Sequence, residues 1–155
     1  MRTSILAVAL FALAASANVV GAQEVRTHAK MAAYEDVKFD LTNAIASRGL
    51  ALDFNGQLGK MLDRTGPDVG STKQIYTQAE FFAFCSAKYS RRMMEADPTN
   101  IGFCPFVIFM YQAPDTPGKT VVGYRRPVPR GNEASAKALA EIDALLDDIV
   151  KEAVQ

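Results

Sequence analysis

Apolar residues recur along the chain at two spacings, and the spacings predict helices and strands in mixed order. Between Tyr34 and Arg48 they fall three and four positions apart, the spacing of one helical face: Val37, Leu41, Ala44 and Ile45. Gly49 predicts the end of that helix. From Leu50 to Phe54 the apolar residues alternate instead, which predicts a strand.

The same two patterns extend to the C-terminus and predict an α+β fold, in which an antiparallel sheet packs with helices. Asn55-Gly56 predicts a turn after the second strand. The predicted elements, in chain order, are an edge strand Glu24–Met31, a helix Tyr34–Arg48, a strand Leu50–Phe54, a helix Leu58–Arg64, a strand ending near Cys85, a helix Ser86–Glu95, strands Ile101–Tyr111 and Lys119–Arg126, and a helix Ser135–Val154.

The segment around Cys85 is ambiguous. Thr77 to Glu80 has the form of a helix capping box, and apolar residues four apart would continue one helix from Thr77 to Ala96. The run Phe81-Phe82-Ala83-Phe84 favours a strand buried on both faces. We predict the strand, followed by a separate helix from Ser86.

The segment Ile101–Tyr111 is the most apolar of the predicted strands, and both of its faces are apolar. One layer of helices covers only one face of a sheet. The other face is therefore expected to meet a pocket or a second subunit, and we predict a symmetric homodimer.

Two features of the first 22 residues are typical of a secretory signal peptide. Arg2 precedes an uncharged apolar run, and small residues follow it. Cleavage is predicted after Ala22, with Ala17 as a second position and an uncleaved anchor helix as the alternative. Export would leave one domain of residues 23–155, periplasmic or secreted, without stable membrane insertion.

Composition limits the classes of function that this protein can have. Seventeen basic residues balance 17 acidic ones, which argues against a nucleic-acid binder that relies on bulk positive charge. The single histidine, His28, is expected on an exposed strand face, and the acids of the last helix, among them Asp143 and Asp147, are expected to form a solvated face. No catalytic motif appears, so an enzyme is the less favoured class.

The two cysteines, Cys85 and Cys104, are the predicted site. Four interpretations remain open: a disulfide between neighbouring strands, favoured by export; two buried thiols; a soft-metal site for copper, with Met93 or Met94 as thioether ligands; and a thiolate ligand for haem. We rank the disulfide first and expect no cofactor while it is closed.

Two arginine pairs, Arg91-Arg92 and Arg125-Arg126, are expected to be solvated. If the pairs came together, Arg125 and Arg126 could contact an anionic ligand.

Three segments resemble exported members of the domain-of-unknown-function 302 family: Phe84-Cys85-Ser86-Ala87, Asn100 to Phe106, and Gly123 to Pro127. The resemblance implies a compact domain related to the TATA-box-binding-protein-like fold, commonly a homodimer, with a cysteine before a helix and another beside a proline. Here the order is Cys-Pro where many members have Pro-Cys. The family supplies no activity.

The sequence thus predicts an exported small accessory or ligand-binding protein with the cysteine pair as its site. The alternative is a thiol-redox or metal- or haem-binding protein that uses Cys85 and Cys104.

Overall fold

A five-stranded antiparallel sheet forms the centre of the computed structural model, which describes residues 25–155. The predicted signal peptide lies outside the described residues. The strands, in chain order, are β1 (Val25–Met31), β2 (Leu52–Gly56), β3 (Gln78–Phe84), β4 (Phe106–Gln112) and β5 (Lys119–Arg125). Their order across the sheet is β1-β5-β4-β3-β2, so β1 is an edge strand as predicted. The predicted α+β class is confirmed.

Three α-helices of the described residues connect strands, and a fourth follows β5: α1 (Tyr34–Ala46), α2 (Leu58–Thr65), α3 (Ala87–Ala96) and α4 (Glu133–Ala153). Gly49 ends the first helical segment with φ +70°, a conformation that favours glycine. Ser86 accepts a hydrogen bond from the amide of Tyr89 and so caps α3. The strand-then-helix prediction around Cys85 is therefore correct, and the single helix is wrong.

The core lies between one face of the sheet and the helices α1, α3 and α4. Helix α4 packs against both α1 and α3. The alternation of β3 and β4 supplies Phe82, Phe84, Ile108 and Met110, all at most 1% exposed. This face is the one on which the apolar stripes of the helices are buried.

The predicted strand Ile101–Tyr111 is wrong in its first half, because residues Pro98–Phe103 form a 3₁₀ helix. Asn100 explains the difference. Its fully buried side chain donates to the carbonyl of Met93 and to the hydroxyl of Ser135, which ties the segment to α3 and α4. Two smaller predictions are also wrong. Asn55-Gly56, predicted as a turn, belongs to β2, and that strand begins at Leu52 where Leu50 was predicted.

The opposite face of the sheet has aromatic rings lying across glycines. A side chain at Gly123 would collide with the ring of Phe109, and one at Gly56 would collide with the ring of Phe81. Phe109 also stacks with Tyr111, with ring centroids 6.3 Å apart. We call this surface the outer face. Within the described chain, the helices that contact β4 and β5 are α1 and α4, which cover the opposite face. The outer face of these two strands therefore has no helix packed against it.

The predicted solvated positions of His28, Asp143 and Asp147 are wrong. His28 lies on the inner side of β1, with Nε2 3.0 Å from Oδ1 of Asp147. Asp143 binds Arg126, the residue after β5, through two guanidinium nitrogens. These contacts attach α4 to the edge of the sheet, and Asp147 is only 7% exposed.

Candidate functional site

The two cysteines lie where β3 ends and the approach to β4 begins. Cys85 follows the last residue of β3 and is exposed, whereas Cys104 ends the 3₁₀ helix and is half-buried. Phe84 and Phe106 are the last paired residues of the two strands. The antiparallel pairing therefore brings together two residues that are 19 positions apart in the chain.

Both cysteines are free thiols in this structure, so the predicted disulfide is not formed. The prediction placed them on directly opposed strand positions. Neither residue belongs to a strand, because β3 stops at Phe84 and β4 starts at Phe106. The two side chains nevertheless lie near enough for Cys104 to raise the pKa of Cys85.

Asp53 reaches this thiol pair from the edge strand β2. Leu52 pairs with Phe84 and Phe54 pairs with Ala83, so Asp53 is the additional residue of a β-bulge. A bulge redirects a side chain that regular pairing would have placed elsewhere. Here the bulge brings the carboxylate of Asp53 near Cys85, where its charge raises the pKa of the thiol.

Ser90 contacts the second thiol from the first turns of α3. Its Oγ lies 3.2 Å from Sγ of Cys104, and either atom can be the donor. The capped start of α3 at Ser86 fixes the position of Ser90 over the 3₁₀ segment. Four side chains therefore form the thiol cluster: Asp53, Cys85, Ser90 and Cys104.

The thiol cluster raises the pKa of Cys85 to about 11. Burial contributes most, since it disfavours the charged thiolate, and the neighbouring Cys104 and Asp53 act in the same direction. Cys85 is consequently a protonated thiol at neutral pH. A cation that replaces the thiol protons would relieve the repulsion between the two sulfurs and Asp53.

The two methionines predicted as possible copper ligands lie in different environments. Met93 is 0% exposed and belongs to the hydrophobic core, whereas Met94 is half-buried beside it. Among residues 25–155, no group of three or more His, Cys, Asp or Glu side chains is arranged to hold a metal ion. A metal at the thiol cluster would therefore depend on the two sulfurs.

The two arginine pairs have mostly protein partners. Arg91 binds Glu95 on its own helix, Arg92 binds Glu141 on α4, and Arg126 binds Asp143. Arg125 is exposed, and no ion pair to it is found within the described chain. Of the predicted anion contacts, Arg125 alone has no carboxylate partner there.

A cavity of about 280 Å³ opens beside the thiol cluster, at the ends of β4 and β5. Phe103 and Pro105, the neighbours of Cys104, line it, and Arg125 is its only charged lining residue among those described. Sequence analysis missed this cavity, although it expected the second face of β4 to meet a pocket or a partner.

Sequence analysis also missed Asp53 and Ser90. Asp53 reaches the thiols only because β2 contains a bulge, and no spacing in the sequence marks a bulge of this kind. Ser90 lies on the α3 face that meets the 3₁₀ segment, whose residues 101–103 were predicted as part of a strand. Correct assignment of these residues would have placed Ser90 beside Cys104.

The structural comparison agrees with the fold. The chain is similar to the crystal structure of the uncharacterized conserved protein DUF302 from Bacillus stearothermophilus, with a TM-score of 0.69 and 15% sequence identity. The match covers 84% of this chain and 98% of that one. At this identity the likeness concerns the fold alone.

The sequence comparisons supply a family without an activity. No curated protein matches this chain. No helix among residues 25–155 is long and apolar enough to cross a membrane. The family model described as "Domain of unknown function DUF302" matches residues 25–153, and the chain therefore belongs to the DUF302 family.

Proposed function

We propose that this protein is a small exported binding protein whose site is the reduced pair Cys85 and Cys104, and that the pair binds a soft monovalent metal cation, Cu(I). The observation that carries the proposal is the proximity of two free thiols, close enough for Cys104 to raise the pKa of Cys85. Thiolate sulfur is a soft ligand that selects Cu(I). Two sulfurs from separate segments provide the two donors that Cu(I) accepts in linear coordination.

The surroundings of the sulfurs favour a cation. Asp53 places a negative carboxylate beside Cys85, and Cys85 is exposed, so a metal can reach it from solvent. Binding of one Cu(I) replaces two S–H protons and releases them to water. Because the pKa of Cys85 is raised to about 11, protons compete with the metal, and affinity increases with pH.

Thiol-redox exchange is a second function that the same proximity supports. Two thiols would lose two protons and two electrons to an oxidised dithiol partner and form one disulfide. The raised pKa of Cys85 disfavours this function, since the thiolate is the nucleophile in such exchange and is scarce at neutral pH.

A competition titration tests the metal proposal. Reduced protein, kept free of oxygen, is titrated with Cu(I) held by a coloured chelator. We expect one Cu(I) to transfer per chain, and we expect Cys85→Ser and Cys104→Ser each to abolish the transfer. Met31→Leu, which removes an exposed sulfur elsewhere, is the matched control and should bind normally.

Two results would overturn the metal proposal. One is failure of the reduced protein to take Cu(I) from the chelator. The other is equal loss of binding in Met31→Leu. A disulfide in protein freshly exported to the periplasm, detected by thiol labelling after unfolding, would favour the redox function instead.

Export and self-association complete the proposal. The apolar N-terminal run supports export, which N-terminal sequencing tests: mature protein should begin at Gln23, and a soluble chain that begins at Met1 would contradict it. The aromatic outer face supports a homodimer, because Phe54 remains 59% exposed there.

Light scattering tests the homodimer. Val121 lies on the outer face, paired with Tyr111 and Ala29, so Val121→Glu would bury a charge in the interface. We expect a dimer of the wild-type chain and a monomer of Val121→Glu. Phe39→Glu, on the exposed side of α1, is the control and should remain dimeric. A monomeric wild-type chain at tens of micromolar concentration would contradict the proposal.

A further inference from the structure

The cavity at the ends of β4 and β5 exists because these strands separate there. They pair only from Ile108 to Tyr111 on β4, opposite Val121 to Tyr124 on β5. Pro105 before β4 and Pro127 after β5 have no amide hydrogen to continue the ladder. The gap extends from the outer face, at Val107, to the side chains of α4.

The inner end of this β4–β5 cavity is apolar and rigid. Ile142 and Leu146 of α4 and Phe106 of β4 line it, and each is at most 2% exposed. Phe103 and Phe109 contribute two further rings. The guanidinium of Arg130 lies 4.8 Å from the ring centre of Phe103 and holds that wall in place. Such walls suit a flat or slender apolar group.

Arg125 supplies the polar end of the β4–β5 cavity. Arg125 is the last residue of β5, and the residue that follows it, Arg126, is already bound to Asp143 on α4. Arg125 has no carboxylate partner within residues 25–155, although it lines the cavity. A guanidinium beside an apolar cavity is complementary to an anion that carries an apolar group.

We propose that the β4–β5 cavity binds a small carboxylate with one apolar group about the size of a phenyl ring, with the apolar group between Phe106 and α4 and the carboxylate on Arg125. The volume of about 280 Å³ lies just below the range of drug-sized pockets, so the ligand is smaller than a typical drug. This site is independent of a metal on the cysteines.

A titration with a matched pair of probes tests the site. 3-Phenylpropionate and its neutral amide, 3-phenylpropanamide, have the same apolar group and differ in charge. Each is titrated into reduced, metal-free exported protein while amide and methyl NMR signals are recorded. We expect the carboxylate to bind about tenfold more tightly than the amide, since a charged hydrogen bond is the difference. Signals of Ile142 and Leu146 should shift.

Three variants locate the contacts. Arg125→Gln should remove the preference for the carboxylate. Lys119→Gln removes an exposed cation at the other end of β5 and should keep the preference. Val107→Phe, at the opening, should weaken both probes. The proposal is overturned if neither probe saturates, if the amide binds equally well to wild type, if Arg125→Gln retains the preference, or if the shifts map elsewhere.

Discussion

Two polar clusters lie at the sheet: the thiol cluster, and an acid cluster formed by Asp143 and Asp147 of α4 with their partners. They differ in how fully their side chains are paired. In the acid cluster Asp143 accepts from Arg126 and from the hydroxyl of Tyr124, at 2.7 Å and 3.0 Å. Asp147 binds Arg26, His28 and Lys151. In the thiol cluster one hydrogen bond, 3.2 Å long, joins Oγ of Ser90 to Sγ of Cys104, and Cys85 is exposed.

This difference separates a structural role from a chemical one. The acid cluster joins β1, β5 and α4, and its carboxylates have little capacity left for a ligand. Sulfur forms weak hydrogen bonds, so a metal or an oxidant displaces them at small cost. We therefore expect substitutions in the acid cluster to affect stability and substitutions in the thiol cluster to affect binding.

The largest expected effect on stability is that of Asp143→Ala. It removes the carboxylate that binds the guanidinium of Arg126 and the hydroxyl of Tyr124, and removal of one member of a buried pair costs about 3 kcal/mol. Asp148→Ala removes an exposed acid from the same helix and is the control. Urea unfolding measures both. A loss below about 1 kcal/mol for Asp143→Ala would contradict the structural role.

Acid should weaken the same cluster. Burial alone would raise the pKa of Asp143 and Asp147, but the bonds from Arg126 to Asp143 and from Lys151 to Asp147 outweigh it and hold both values below the usual one. A carboxyl whose folded pKa is depressed stabilises the fold above its unfolded pKa, and this contribution is lost as pH falls through the folded value.

We therefore expect the free energy of unfolding to fall as pH drops below about 4. Urea unfolding from pH 7 to pH 2 measures it. Asp143→Asn, which cannot titrate at this position, should show a shallower fall than wild type. An equal acid dependence in the two proteins would contradict the assignment.

The smallest expected effect on stability is that of Asp53→Asn, which should instead change thiol chemistry. Removing the negative charge lowers the pKa of Cys85 from about 11, because charge repulsion on the thiolate decreases. The rate of iodoacetamide labelling against pH measures the shift. Asp63→Asn, an exposed acid on α2, should leave the profile unchanged. An unchanged profile in Asp53→Asn would show that Asp53 does not act on Cys85.

The spacing of apolar residues predicted most of the helices and strands, because an element that buries one face needs apolar residues at the spacing of that face. The helix that starts at Tyr34 follows from apolar spacing, and the strand before Ser86 follows from the aromatic run Phe81 to Phe84. The pattern failed at residues 101–103, where Ile101 and Phe103 resemble a strand but the buried side chain of Asn100 specifies a helical turn. An apolar run alone does not show where a buried polar group will find its partners.

The cysteines were predicted as the site, but their surroundings were not. The bulge that directs Asp53 and the separation of β4 from β5 are properties of strand pairing, which single positions do not encode. The acids of α4 appeared solvated because charged residues usually are. One partner, His28, lies on a strand 119 positions away from Asp147, and another, Arg126, follows the end of β5.

The most direct test of the central claim is the coordination of copper in the loaded protein. X-ray absorption at the copper edge, recorded on protein loaded with one Cu(I) per chain, reports the number and type of ligand atoms. We predict two sulfur ligands, and loss of that spectrum in Cys85→Ser and in Cys104→Ser. Coordination by nitrogen or oxygen, or an unchanged sulfur signal in either variant, would contradict the claim that the two thiols form one site.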